Sequence, residues 1–161
     1  MPKLVKNHEI LENTWQVASQ DSTLSEGMWL LGLEQYLAQR EANNPNLANL
    51  GIILPGDTDP ESLAGMPMDV AVIAIDFPAF TDGRGFSLAR SLREYFDYSG
   101  EIRATGYFLL DQVFYLSRCG FNAFEVGDDA NIETLLNALD TFSVKYQAAI
   151  DEPQPLFRRR S

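Results

Sequence analysis

The sequence predicts an α/β domain, a mostly parallel sheet of about five strands with helices on both faces. Three observations carry this. Val70–Ile75 (VAVIAI) is continuously apolar and rich in β-branched residues, as in a strand covered on both sides. From residue 50 onward, strand-like runs alternate with segments of helical period, the order that builds parallel strands joined by right-handed crossovers. The length of 161 residues and the hydrophobic fraction of 45% suit one core. Part of a β/α barrel is the alternative, since short strand–helix units also build barrels.

Element by element, the start of the chain around His8 reads as a polar leader, and Thr14–Ser19 alternates weakly, as a short strand does. Asp21–Ser25 reads as a loop. Met28–Arg40 spaces Leu30, Leu33 and Leu37 at helical intervals; Glu26 suits the positive end of that helix, and Asn43-Asn44-Pro45-Asn46 ends it. Leu50–Leu54 is a strand closed by Pro55-Gly56. Pro60–Ala64 makes one helical turn with Asp59 as cap. After Val70–Ile75, Asp76-Phe77-Pro78 stops sheet pairing.

Thr81–Gly85 is a loop, and Phe86–Phe96 is a helix expected to bury Leu88, Ala89, Leu92, Tyr95 and Phe96 and to expose Arg90, Arg93 and Glu94. Glu101–Thr105 is a short strand. Phe108–Arg118 is a helix, apolar around most of its circumference, ended by Cys119-Gly120. Ala123–Val126 is the last strand. Asn131 caps a long helix, Ile132–Ile150. The expected domain is residues 1–151, with 152–161 a disordered tail. The all-round apolar helix asks for cover, from the last helix or from another subunit, so a homodimer or a partner protein is expected.

The formal net charge is −11. A nucleic-acid backbone or an anionic membrane surface needs a basic face, so neither is an expected partner. No run approaches the length of a membrane helix, the start has no signal-peptide pattern, and the cytoplasm is the expected location. The one cysteine, Cys119, forms no internal disulfide.

In parallel sheets, ligands sit beyond the carboxyl ends of the strands. Those ends deliver Asp76, Thr81, Asp82 and Arg84; then Gly106, Tyr107, Asp111 and Gln112, with Arg103 on the strand itself; then Gly127, Asp128 and Asp129. Thr81-Asp82-Gly83-Arg84-Gly85 opens a helix. Its free amides beside a guanidinium make an anion site from Gly83, Arg84, Gly85 and Arg103, with Thr81 and Gln112 in support. The same residues also read as an ordinary strand–helix turn. Asp76, Asp82 and Asp111 are the candidate catalytic carboxylates, and with Asp128 they could gather a magnesium ion, although no metal motif is present. Asp111 reads equally as the partner of an arginine. There is neither a dinucleotide fingerprint nor a P-loop, so no cofactor is expected. The lone histidine, His8, is remote from these residues, and Cys119 reads as a small core residue.

Asp76-Phe77-Pro78, Phe80–Ser87, Ala89-Arg90 and Leu92–Glu94, then Gly100-Glu101, Arg103-Ala104 and Gly106, then Asp111-Gln112, Phe114–Leu116, Arg118–Phe121 and Ala123–Glu125 form a distinctive string. It resembles a bacterial family of unknown function whose genes neighbour sulfite reductase genes and whose members are labelled oxidoreductases. The resemblance implies a role in assimilatory sulfite reduction, with sulfite reductase or another sulfur-assimilation protein as partner. One cysteine cannot hold the four-cysteine iron–sulfur cluster of a sulfite reductase. The implied role is therefore an accessory one. A small enzyme using Asp76, Asp82 and Asp111, or a scaffold without a small-molecule site, are the alternatives.

Overall fold

The computed structural model describes residues 3–6, 9–19, 27–78, 83–127 and 131–141. Its strands are β1 (Lys3–Lys6), β2 (Glu9–Glu12), β3 (Trp15–Val17), β4 (Met28–Leu31), β5 (Leu50–Pro55), β6 (Val72–Phe77), β7 (Glu101–Gly106) and β8 (Ala123–Val126). Its α-helices are α1 (Leu33–Glu41), α2 (Arg84–Glu94), α3 (Val113–Cys119) and α4 (Ile132–Thr141). The strands form one sheet in the order β2-β1-β8-β7-β6-β5-β4-β3. β3 through β8 pair in parallel, while β1 is antiparallel to both β2 and β8.

The expected five-stranded sheet with helices on both faces is overturned. The sheet has eight strands, mixed in direction and curled into a half-barrel. Its helices cover one face. From β5 onward strands and helical segments alternate as expected, whereas β1, β2 and β3, ahead of them, follow one another with no helix between them.

The curl follows from chain connectivity. β2 and β3 are the two edges of the sheet, yet only Asn13 and Thr14 separate them in sequence. A flat sheet of this width would hold its edges about 34 Å apart at about 4.8 Å per strand. Three Cα–Cα steps reach at most about 11 Å. The sheet must therefore bend until its edges approach. Side chains confirm the bend: the Arg103 guanidinium on β7 lies 5.8 Å from the ring centroid of Trp15 on β3.

Strand alternation sorts the two faces. On the outer face, Ile52, Leu54, Ile73, Ile75, Phe77, Ile102, Ala104, Phe124 and Val126 pack with Leu88, Ala89 and Leu92 of α2, Val113, Leu116 and Cys119 of α3, and Leu135 of α4. Phe77 is the hub of an aromatic group, with ring centroids of Phe86, Phe108 and Phe121 at 5.5, 6.4 and 5.8 Å. The inner face holds a small apolar set, Leu30, Val72 and Ala74 with Trp15 and Ile53 against them. Beside it lie charged residues: Arg103, 1% exposed, and Glu101, 7% exposed.

Several sequence readings shift locally. The single helix expected over Met28–Arg40 is a strand, β4, and then α1, divided at Gly32. The apolar run Met28–Leu31 pairs with β5 instead of continuing the helical face. The expected polar leader contains β1 and β2, with Leu4 and Val5 buried. β6 begins two residues later than expected and runs through Asp76 and Phe77. The helix expected from Phe108 starts as a 3₁₀ turn at Leu110–Gln112 and becomes α3 at Val113. It is not apolar all round in use: Val113, Leu116 and Cys119 are buried, whereas Tyr115 is 51% exposed. The Asp59 cap is present, its carboxylate accepting from the Glu61 amide at 3.0 Å, and Asn131 Oδ1 accepts from the Thr134 amide at 3.0 Å. Asp21–Ser25, Glu26 and everything beyond Thr141, including the expected tail, lie outside the described residues.

Two side chains, Tyr98 buried and Arg93 half-buried, fasten the lower end of the sheet. The Tyr98 hydroxyl donates to the Val70 carbonyl at 2.9 Å, with the Glu101 carbonyl at 3.2 Å. Arg93 donates to the carbonyls of Tyr98, Gly100 and Gly120 at 2.7–3.1 Å, which stops α3 and ties it to α2. At Gly120, φ is +118°, and an added Cβ would meet the Arg93 side chain. Glycine is needed there for both reasons.

Candidate functional site

The carboxyl ends of β5, β6 and β7 meet at one rim. The Gly56 amide donates to the Asp76 carbonyl at 2.8 Å, and the Tyr107 amide donates to the Phe77 carbonyl at 2.8 Å. Gly106 has φ +87°, and a Cβ there would run into the Phe77 carbonyl and Asp76 Oδ1. Only glycine lets β7 leave the sheet beside the Asp76 carboxylate. Below the same rim, Gly85 brings the first turn of α2 against the Phe77 ring, where a Cβ would overlap the ring.

Asp76 follows Val72 and Ala74 in strand alternation, so it faces into the half-barrel. It borders a cleft of about 700 Å³ at the ends of β3–β6, lined by Ala18, Ser19, Gly32, Leu33, Glu34, Gln35, Ile53, Pro55 and Asp76. Gln35 braces the opposite wall: its Oε1 accepts from the Gly32 amide at 3.3 Å and its Nε2 donates to the Ser19 carbonyl at 3.0 Å. This locks the end of β3 to the start of α1. The sequence reading named Asp76 but missed this wall, because Met28–Arg40 was expected to be one helix; Gly32 between two apolar runs was the available signal.

The residues expected to gather an anion do not converge. Arg103 is on the inner face. Its Nε donates to Glu101 Oε2 at 2.8 Å and its Nη1 to Asn13 Oδ1 at 3.1 Å. Lys6 Nζ reaches the other Glu101 oxygen at 2.9 Å. Arg103 is thus engaged in pinning the β2–β3 crossing to β7. Gly83, Arg84 and Gly85 belong to the start of α2 on the outer side, where Arg84 is exposed and Gly85 buried. Arg84 has a partner of its own.

Asp111 is exposed in the 3₁₀ turn, and Gln112 Oε1 accepts from the Leu109 amide at 2.9 Å, capping that turn. Thr81, Asp82, Asp128 and Asp129 lie outside the described residues, and Gly127 is exposed at the end of β8. Among the described residues, no group of three or more His, Cys, Asp or Glu is placed to hold a metal ion. Cys119 is buried in the outer core, and burial pushes its thiol above the usual range, which keeps it protonated and unreactive.

A family model described as a bacterial protein of unknown function (DUF934) matches residues 51–157. The chain belongs to this family. The match covers β5 to β8, the whole string of residues on which the resemblance rests, and both glycine-lined approaches to Phe77. It begins after β4 and α1, so one wall of the cleft lies inside the matched region and the other precedes it. No curated protein and no solved structure matches the chain. No helix among the described residues is long and apolar enough to cross a membrane.

Proposed function

We propose that this DUF934 protein serves assimilatory sulfite reduction in the cytoplasm as an accessory that binds, while a partner enzyme moves the electrons. One observation carries the reading. Among the residues that resemble the sulfite-associated family, Asp76-Phe77 and Gly106 lie at the rim of strand ends, where α/β proteins place ligands, and Gly83-Arg84-Gly85 open α2 on the outer side below it, Gly85 against Phe77. The anion arm of the proposal is the start of α2, with the amides of Gly83 and Gly85 beside Arg84. Arg103 has no part in it, being paired with Glu101. The same end of the molecule exposes Tyr107, Leu109 and Tyr115 at 70%, 42% and 51%, and we place the contact with sulfite reductase or a second copy there.

A deletion strain tests the role. Poor growth on sulfate and sulfite, with rescue by sulfide or cysteine, is the expected outcome; normal growth on every sulfur source removes the role. Calorimetric titration with sulfite tests the arm. Equal binding by wild type and Arg84→Ala, or none at millimolar concentration, removes the anion site.

The alternative of a small acid–base enzyme keeps one supporting observation, Asp76 in the wall of the cleft. Substrate turnover abolished by Asp76→Asn with unchanged folding would favour it.

A further inference from the structure

We infer that the outer face of α2 and α3 seats a second copy of this chain, in a two-fold symmetric dimer. The inference rests on the contact face proposed above and chooses between its two occupants. The face is continuous. The ring of Phe86 on α2 meets that of Tyr115 on α3, with centroids 5.1 Å apart. Arg90 and Tyr115 both reach the Cys119 sulfur between the two helices. Beside them the Arg118 guanidinium lies 5.8 Å from the ring centroid of Phe114. At the rim, Phe108 turns its ring toward Phe77 and Phe124, which leaves Tyr107 and Leu109 exposed on either side of it. Aromatic side chains and arginines gathered in this way are the anchors that protein interfaces use.

Charge selects the occupant. The chain carries −11 overall, yet residues 83–127 hold five arginines and five acids and sum to zero. All the excess negative charge therefore belongs to the rest of the chain. Two such bodies repel each other unless they meet where the charge is balanced. A two-fold interface sets one patch against itself, so the patch must be complementary to itself. Here Arg90 and Arg118 stand with Glu94 and Asp111 around the aromatic anchors, both signs on one face. Arg90 and Glu94 are 3.7 Å apart with exposed side chains, and a loose surface pair of this kind is cheaply exchanged for one across an interface. A strongly acidic or basic partner would find no net charge to answer its own. The exposed apolar residues of β2 do not meet the condition. Ile10 and Leu11 lie between Glu9 and Glu12, and antiparallel pairing of β2 with its copy in register would set Glu9 against Glu12, a like-charge contact that destabilises.

Sedimentation equilibrium of the full chain from micromolar concentration upward tests this, and the expected result is twice the chain mass of 18.0 kDa. Added salt should tighten the dimer, because it screens the repulsion between two negative bodies and leaves the apolar contact in place. Tyr115→Glu should weaken it about tenfold or more. Tyr95, expected in the core but 79% exposed, supplies the control. It is nine residues from Phe86, half a turn out of phase and so on the flank of α2 turned away from α3; Tyr95→Glu adds the same charge and should leave the dimer intact. A single-chain mass at every concentration, a dimer that loosens as salt rises, or equal weakening by the two tyrosine variants overturns the proposal. If Tyr115→Glu fails to fold, Leu109→Asp at the exposed rim carries the same expectation. The sulfite role is read separately, from the growth phenotype: a monomeric chain that still supports growth on sulfate overturns the dimer and leaves that role standing.

Discussion

The two faces of the sheet are built from alternate residues of the same strands, and they do different work. In β6, Ile73, Ile75 and Phe77 point outward into a helix-covered core, while Val72, Ala74 and Asp76 point inward. In β7, Ile102 and Ala104 join the outer core, while Glu101 and Arg103 form a buried ion pair inside. The outer face gains stability from apolar area. The inner face spends part of it on charges, which are costly to desolvate and contribute mainly by fixing one arrangement. Here the arrangement fixed is the crossing of the chain from one sheet edge to the other.

The largest effect should come from the outer face. Phe77→Ala removes the hub of the aromatic group and should cost about 3–5 kcal/mol, measured by denaturant unfolding. Next comes the inner pair. Arg103→Met leaves Glu101 buried with Lys6 alone, and should cost about 3 kcal/mol. The double change Glu101→Met with Arg103→Met should recover most of that loss, because apolar residues of similar volume often replace a buried pair without penalty. If the double variant is as unstable as the single one, the pair contributes net stability and the contrast between the faces is weaker than described.

A third outcome concerns pH. Burial raises the folded-state pKa of both Cys119 and Tyr98. A raised pKa favours the protonated form in the folded state, so this contribution is complete below the unfolded-state values, 9.0 and 10.0. It is lost as pH rises toward the folded values. The midpoint of thermal unfolding should therefore fall from about pH 9 upward, and Tyr98→Phe should remove part of the fall. The smallest effect belongs to the open edge. Val17, 59% exposed on β3, should tolerate Val17→Thr within about 0.5 kcal/mol.

How much of this was legible in the sequence depends on the face. Outward residues of β5 to β8 repeat with clear apolar runs, so those strands were readable, as were the caps at Asp59 and Asn131. β1 and β2 were not. KLVK and EILE each carry two apolar residues between charges, the pattern of a polar segment as much as of an edge strand. The second partner of β1, β8, lies more than a hundred residues away, beyond any local signal. Arg103 shows the same limit. Its place on a strand was readable, but its burial depends on Asn13 and Trp15 arriving from the far end of the chain. The Glu101-x-Arg103 spacing, which puts opposite charges on one face of a strand, was the trace left in the sequence.

The order of synthesis meets the order of the sheet at β1. The ribosome makes β1 and β2 first, yet β1 takes its second neighbour from β8, pairing Lys3 with Val126 and Lys6 with Ala123. β3 and β4 can dock as soon as β5 emerges, and β5, β6 and β7 assemble in sequence beside them. β1 must wait until β8 has been translated. Until then β2, β1 and the growing edge of the parallel sheet all present unpaired backbone, the condition that recruits neighbouring chains. The charges along KLVK and EILE have a use in that interval: they keep the waiting hairpin in water until its place is made.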